Sequence, residues 1–164
     1  MSDELVIRGK RGDFNDYEKF ITKFKAAKTT DDCYTPQPIY EAVVDYVFRK
    51  GNLPEDTEIV RPFRPNGDYT TEEYPEGCVV IDNPPFSILS EICAWYEEHG
   101  VRYFLFAPGL TLFSINAGRS RYLPVGHQIM YHNGAGIPTS FVTNLGSLRI
   151  ELCPELYAKL EQID

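Results

Sequence analysis

The chain has 164 residues, a length that usually makes one domain, and its 43% apolar and 24% charged residues describe a folded globule rather than a disordered or collagenous chain. No apolar run approaches the ~20 residues of a membrane span, and the opening MSDELVIRGKRGDF lacks a signal-peptide stretch, so the expectation is a cytoplasmic protein with no membrane partner. The net charge of −8 argues against a broadly basic nucleic-acid coat.

That charge is uneven. Residues 1–30 hold seven Lys/Arg against five Asp/Glu, a balance of +2, which leaves −10 for the rest. Nucleic-acid contact would therefore come from local patches: Arg8, Lys10 and Arg11; Lys19, Lys23, Lys25 and Lys28; or Arg119 and Arg121. The four cysteines (Cys33, Cys78, Cys93 and Cys153) form no CxxC pair, so neither a zinc site nor a disulfide framework is indicated, and they read as reduced thiols.

In chain order, residues 14–28 place Tyr17, Phe20, Ile21 and Phe24 on one face of a helix, an N-terminal extension spanning residues 1–30. Thr35 reads as an N-cap with Pro36 at the first position of the next helix. That helix buries Ile39, Val43, Tyr46 and Val47 and ends at Gly51. Glu58 to Phe63 reads as a short strand stopped by Pro62 and Pro65. Cys78 to Ile81 is a wholly apolar strand that runs into Asp82-Asn83-Pro84-Pro85-Phe86. Ser87 is placed to cap a helix with the apolar face Leu89, Ile92, Cys93 and Tyr96, closed by His99-Gly100. Val101 to Phe106 is again apolar apart from Arg102. Strand, helix, strand with both strands almost wholly apolar predicts a βαβ unit in a parallel sheet. Strands are also expected at Gln128–Tyr131, Thr139–Val142 and Leu148–Leu152, and a terminal helix from Pro154. The sum is a single α/β domain over residues 1–164, with helices on both faces and a β-rich C-terminal part.

The chemistry concentrates at Asp82-Asn83-Pro84-Pro85-Phe86. Ligands bind at the carboxyl edge of open α/β sheets. Two prolines fix the backbone and remove two donors, leaving a rigid segment that presents acceptors, the Asn83 side-chain oxygen and a main-chain carbonyl, beside an aromatic ring. Such a lip suits a flat group bearing an NH2, with the ring stacking on it. A base within a duplex would have to be flipped out to reach it.

Asn83-Pro84-Pro85-Phe86 resembles the catalytic motif of S-adenosylmethionine-dependent methyltransferases acting on exocyclic or amide nitrogen, chiefly the DNA adenine-N6 methyltransferases. Cys33-Tyr34-Thr35-Pro36 resembles that family's N-terminal methionine-contacting motif, and IVRPFRPNGDY over residues 59–69 resembles a worn first cofactor loop. The likeness is nearest to phage- and plasmid-borne enzymes of the EcoRI type and covers roughly residues 30–145. It implies a reduced Rossmann-like sheet, S-adenosylmethionine as cofactor and DNA as partner. It assigns catalysis to Asn83, Pro84, Pro85 and Phe86, and cofactor binding to Tyr34, Thr35, Pro36, Phe63, Gly67, Asp68 and Asp82. It further implies that Asn83 and the Pro84 carbonyl hold the amine, that Phe86 stacks on the base, and that Asp82 orders the loop or meets the cofactor's cationic end.

The chain departs from the family in two places. Arg61 stands where the family has an acid, with Gly67 the one remaining glycine of the cofactor loop, so that Arg61, Pro65 and Asn66 are expected to crowd it. Some fifteen residues separate Phe63 from Val79, where the family holds a helix, two strands and the ribose-binding carboxylate; Asp68, Glu72 or Glu73 is left as a substitute. The alternative is a non-catalytic remnant of the fold that binds nucleic acid or protein for a mobile element, and self-association is expected to be possible at this size. Pro108-Gly109-Leu110-Thr111 follows a strand at the ligand edge, either lining the pocket or forming a turn. Arg119, Arg121 and Tyr122 sit in a polar stretch that reads as a surface loop. His127 and His132 lack carboxylate or cysteine neighbours at metal-ligand spacing, so no metal is expected, and His99 reads as a charge-compatible helix terminus.

Overall fold

The computed structural model describes residues 35–115, 121–131, 134–146 and 150–163. The helix expected over residues 14–28, the basic patches before residue 30, Cys33, Tyr34, Arg119 and His132 lie outside the described residues.

Helix α1, Gln37–Lys50, buries Ile39, Tyr40, Ala42, Val43, Tyr46 and Val47, which is the stripe its apolar spacing dictates. It begins one residue later than expected. Pro36 adopts φ −53° and ψ 136°, an extended conformation, so it occupies the cap position itself and Thr35 makes no capping bond. Strand β1 is only Ile59–Val60. Pro62 has no N–H to give a ladder, and Arg64 N donates back to Pro62 O at 3.0 Å, so the chain turns at once instead of extending to Phe63. Strand β2, Val79–Asp82, is buried at every residue. A single 3-10 turn, Phe86–Ile88, leads into helix α2, Leu89–Glu98. Ile88 N donates to Pro85 O, which tightens this turn and places Ser87 inside it, so Ser87 caps nothing. His99 and Gly100 close α2 as expected, Gly100 at φ +67°, a conformation open to glycine.

Strand β3 runs Arg102–Pro108. It outlasts the apolar run because an antiparallel neighbour pairs with it as far as Pro108↔Thr139. That neighbour is the second arm of a hairpin made of β4, Arg121–Met130, and β5, Gly136–Thr143. The two arms slip register between Leu123 and His127, where Ser140 Oγ accepts Val125 N and Gly126 N at 3.0 and 2.9 Å and so satisfies the bulge. Arg121 and Tyr122 belong to β4 and not to a surface loop; Tyr122 is buried and its hydroxyl donates to Ile115 O. The strand expected over residues 148–152 is reduced, among the described residues, to one bridge between Tyr122 and Ile150. Helix α3, Pro154–Glu161, ends the description.

The five described strands form one sheet in the order β1-β2-β3-β5-β4, parallel from β1 to β3 and antiparallel through the hairpin. Alternate residues feed two cores. Val79, Ile81, Phe104, Phe106 and Phe141 pack with α1 and α3. Val80, Tyr103, Leu105 and Val142 pack with α2. The architecture is thus mixed α/β with helices on both faces. On the α1–α3 side, Arg49, Asp45, Glu155 and Lys159 form exposed ion pairs, which solvent screens and which add little to stability. Full burial of Leu156 and Leu160 is worth about 1.5–3 kcal/mol apiece, so apolar contact holds α3 and the charges set its register.

The link between β1 and β2 has no helix. Residues 61–78 instead lay Phe63, Tyr69 and Tyr74 over the α2 side of the sheet. Tyr69 meets the edges of Trp95 and Tyr96 at 5.6 and 6.1 Å, and Tyr74 lies 5.8 and 5.6 Å from the same two rings. The Tyr74 hydroxyl donates to Tyr69 O at 2.6 Å and lies 3.1 Å from the Tyr96 hydroxyl. Aromatic faces do here what a crossover helix does elsewhere, so the short interval between Phe63 and Val79 suffices for β1 to pair directly with β2.

Candidate functional site at the carboxyl edge of the sheet

The parallel strands deliver three loops to one edge: residues 61–67 after β1, 83–86 after β2 and 109–114 after β3. The head of α1 belongs to the same end, because the Tyr40 hydroxyl, one turn into that helix, donates to Ile81 O at 2.8 Å.

Asp82 organises the edge. Its side chain is 3% exposed. One oxygen accepts Asn83 N at 2.9 Å and Arg61 Nε at 3.3 Å, and the other accepts Phe63 N at 3.0 Å. One carboxylate therefore ties the loop after β1 to the lip after β2. Burial pushes its pKa up, against the pull of Arg61 and of the two N–H donors. Of the two roles expected for Asp82, ordering the loop is the one the hydrogen bonds display. Phe63 serves the same end, through its N–H and through its ring, 5.9 Å from Tyr69.

Arg61, which the sequence suggests is an obstruction, is folded flat. Its guanidinium carbon lies 3.7 Å from the centroid of the Tyr40 ring, a cation–π stack, while Nε points to Asp82. Burial raises the Tyr40 hydroxyl to about 12, so the ring stays neutral beneath the cation. Among the described residues no hydrogen bond is made by either Nη of Arg61, and the side chain is 45% exposed. Gly67 allows the turn beneath it: its N–H donates to Arg64 O at 2.8 Å, and a Cβ there would run into the Pro62 carbonyl. Asn66 carries the positive φ of the turn, +62°.

In the lip itself Pro84 is buried, while Asn83, Pro85 and Phe86 are half-buried. The Asn83 side-chain oxygen is shielded from solvent. Pro85 O accepts Ile88 N at 3.3 Å, whereas among the described residues nothing donates to Pro84 O. Phe86 packs against both cores, so only part of its ring is free to face a guest. At the head of α1, Thr35 Oγ1 is buried and makes no hydrogen bond among the described residues.

Of the acids expected to replace the ribose carboxylate, Asp68 and Glu72 are engaged locally, while Glu73 is exposed. Asp68 accepts Thr70 N and Thr70 Oγ1 at 2.9 and 2.6 Å, which holds its pKa down. Glu72 pairs with Arg64 at 2.7 Å. After β3, Gly109 N donates to Pro138 O at 2.7 Å, and Leu110 and Phe113 stand 87% and 62% exposed. His127 is buried edge-on to Tyr157, and the described residues hold no cluster able to bind a metal ion.

Two cavities, of 190 and 470 Å3, lie at the opposite edge, around Arg102. Neither is lined by residues 82–86. Sequence reasoning missed Tyr40, which the expected buried stripe of its helix did not include, and misjudged Arg61. The available signal was position, since a cation directly after the first strand falls on the ligand edge whatever its type. No family model, curated protein or solved structure matches the chain.

Proposed function

We propose that the protein is a reduced S-adenosylmethionine-dependent methyltransferase whose target is an exocyclic amine, that of the N6 position of adenine in DNA. The observation that carries this reading is the placement of Asn83-Pro84-Pro85-Phe86 at the carboxyl end of β2, flanked by β1 and β3 and fixed from below by Asp82. The strand order supports it. A doubly wound sheet reads 3-2-1-4-5-6; removal of strands 2 and 3 leaves 1-4-5-6, whose first three parallel neighbours correspond to β1-β2-β3. The site then falls between β1 and β2, the switch point of the full sheet.

The cofactor's methionine end fits the residues present: the buried hydroxyl of Thr35 and the Nη groups of the half-exposed Arg61 have no hydrogen-bond partner among the described residues. When bound, the cofactor supplies an electrophilic methyl group on sulfonium sulfur. Asn83 Oδ1 and Pro84 O would take the two amino hydrogens of the substrate and concentrate electron density on its nitrogen. They thereby favour the charge that develops there during transfer. The proton leaves afterwards, so no strong general base is required. Pro84 and Pro85 keep these acceptors from reorganising. The free part of Phe86 stacks on the base, and Leu110 and Phe113 offer apolar surface at the same edge to an unstacked nucleotide.

A second reading is favoured by one observation. Asp68 and Glu72 are both occupied by close neighbours, so two of the three acids open to the ribose role are already engaged. On that reading the chain is a non-catalytic remnant that binds nucleic acid or protein. Calorimetric titration with S-adenosylmethionine, followed by transfer of labelled methyl to adenine-containing DNA, decides between them. Binding together with transfer that Asn83→Ala abolishes supports the enzyme; no heat at millimolar ligand refutes it.

A further inference from the structure

We infer that Arg61 is a preset fork for a carboxylate, the one on the amino-acid tail of the cofactor. The inference rests on the methyltransferase reading and deepens it. Three features make the fork. The guanidinium is immobilised on one face by the Tyr40 ring at 3.7 Å. It is turned by its Nε bond to Asp82, whose side chain is 3% exposed and takes two further N–H donors. Tyr40 is in turn fixed by its own bond to Ile81 O. The Nε donor is thus spent on Asp82, and neither Nη makes a hydrogen bond among the described residues. A planar pair of N–H groups held in this way matches the two oxygens of a carboxylate, and little side-chain entropy is lost when they meet.

The surroundings point to an acid and not to a neutral group. Pro36 and Pro38 remove two donors from the head of α1, and among the described residues no side chain caps that helix and nothing accepts from Gln37 N or Ile39 N, which follow Thr35. An arginine after the first strand thereby inverts the charge logic of the family. The acid that meets the cofactor there is replaced by a cation that meets its carboxylate.

The test compares two ligands by calorimetry on the full chain: S-adenosylmethionine and its decarboxylated analogue. The wild-type chain should bind the carboxylate-bearing ligand about tenfold to a hundredfold more tightly. Arg61→Gln should erase that preference. Arg61→Lys keeps a positive charge against Asp82 but lacks the planar pair, and should retain only part of it. Near-UV circular dichroism of the aromatic cluster reports whether either variant keeps its fold, and the wild-type comparison needs no variant. If both ligands bind wild type equally well, the inference is overturned while the methyltransferase reading stands. If neither ligand binds, both fall. If Arg61→Gln weakens DNA binding and the wild-type chain shows no preference between the ligands, the fork serves a phosphate and the assignment to the cofactor is wrong.

Discussion

Gly67→Ala tests how the edge is held together. The alanine Cβ would press into the Pro62 carbonyl oxygen, far inside contact distance, and would lie 3.0 Å from Arg64 O and 3.1 Å from Arg64 Cγ. Two of these three obstacles are backbone, so no rotamer relieves them, and the turn over residues 62–67 must open. Opening draws Phe63 N from Asp82, at present 3.0 Å away. A hydrogen bond to a buried charge is worth about 1.5–3 kcal/mol, and overpacking adds about 1–3 kcal/mol. The reduced entropy of the unfolded chain returns about 0.4–1 kcal/mol. The net expectation is a loss of about 2–4 kcal/mol, or a fall in Tm of roughly 5–15 °C. Urea denaturation followed by tryptophan fluorescence measures it, since Trp95 lies in the aromatic cluster that covers the same link. A variant within about 0.5 kcal/mol of wild type, the usual range of a neutral surface change, would show that the turn is not tied to Asp82 as described.

Four further outcomes follow from the ionisable groups. Asp45 and Glu155 have lowered pKa values, chiefly through Lys159 and Arg49 respectively, so their pairs stabilise the fold above the ordinary carboxylate range and that support fades as pH falls through the lowered values. Asp45→Asn should shrink this acid-side loss in thermal melts, and the difference should also shrink in high salt. Asp82 behaves oppositely: burial raises its pKa, so its contribution is present below 3.8 and diminishes as pH rises through the raised value. Asp82→Asn should remove that part of the slope, seen as the wild-type-minus-variant difference in unfolding free energy across pH. In a spectrophotometric alkaline titration, Tyr40 and Tyr74 should ionise near 12 and not near 10, and Tyr40→Phe should delete one such late transition. Cys153, pushed by burial to about 11, should resist thiol reagents in the native state and react at once in denaturant.

The parallel core was legible because its information is periodic. Val79–Ile81 and Tyr103–Phe106 are apolar at every position, which only a sheet covered on both faces requires, and Leu89, Ile92, Cys93 and Tyr96 keep helical spacing. Boundaries were less legible where proline competes with capping. Thr35 and Ser87 each have the side chain of a cap, yet Pro36 and Pro85 set the backbone and take the turn for themselves. The hairpin was underestimated because β4 carries Pro124 and Gly126 within it, and only Ser140, fourteen residues beyond Gly126, makes that bulge tolerable. Arg61 was misread for a related reason. Its orientation depends on Tyr40 and Asp82, each twenty-one residues away in opposite directions, and pairings of that kind leave no local pattern.

The brevity of β1 has an effect beyond the site. A sheet border normally invites another chain to continue its ladder, and long, flat borders do so most readily. Here the border strand supplies two rungs, Ile59 and Val60, before the imino acid at position 62 ends the supply of amide hydrogens. A border strand of ordinary length would leave an adhesive seam; among the described residues this one is cut to a length too small for a stranger to grip.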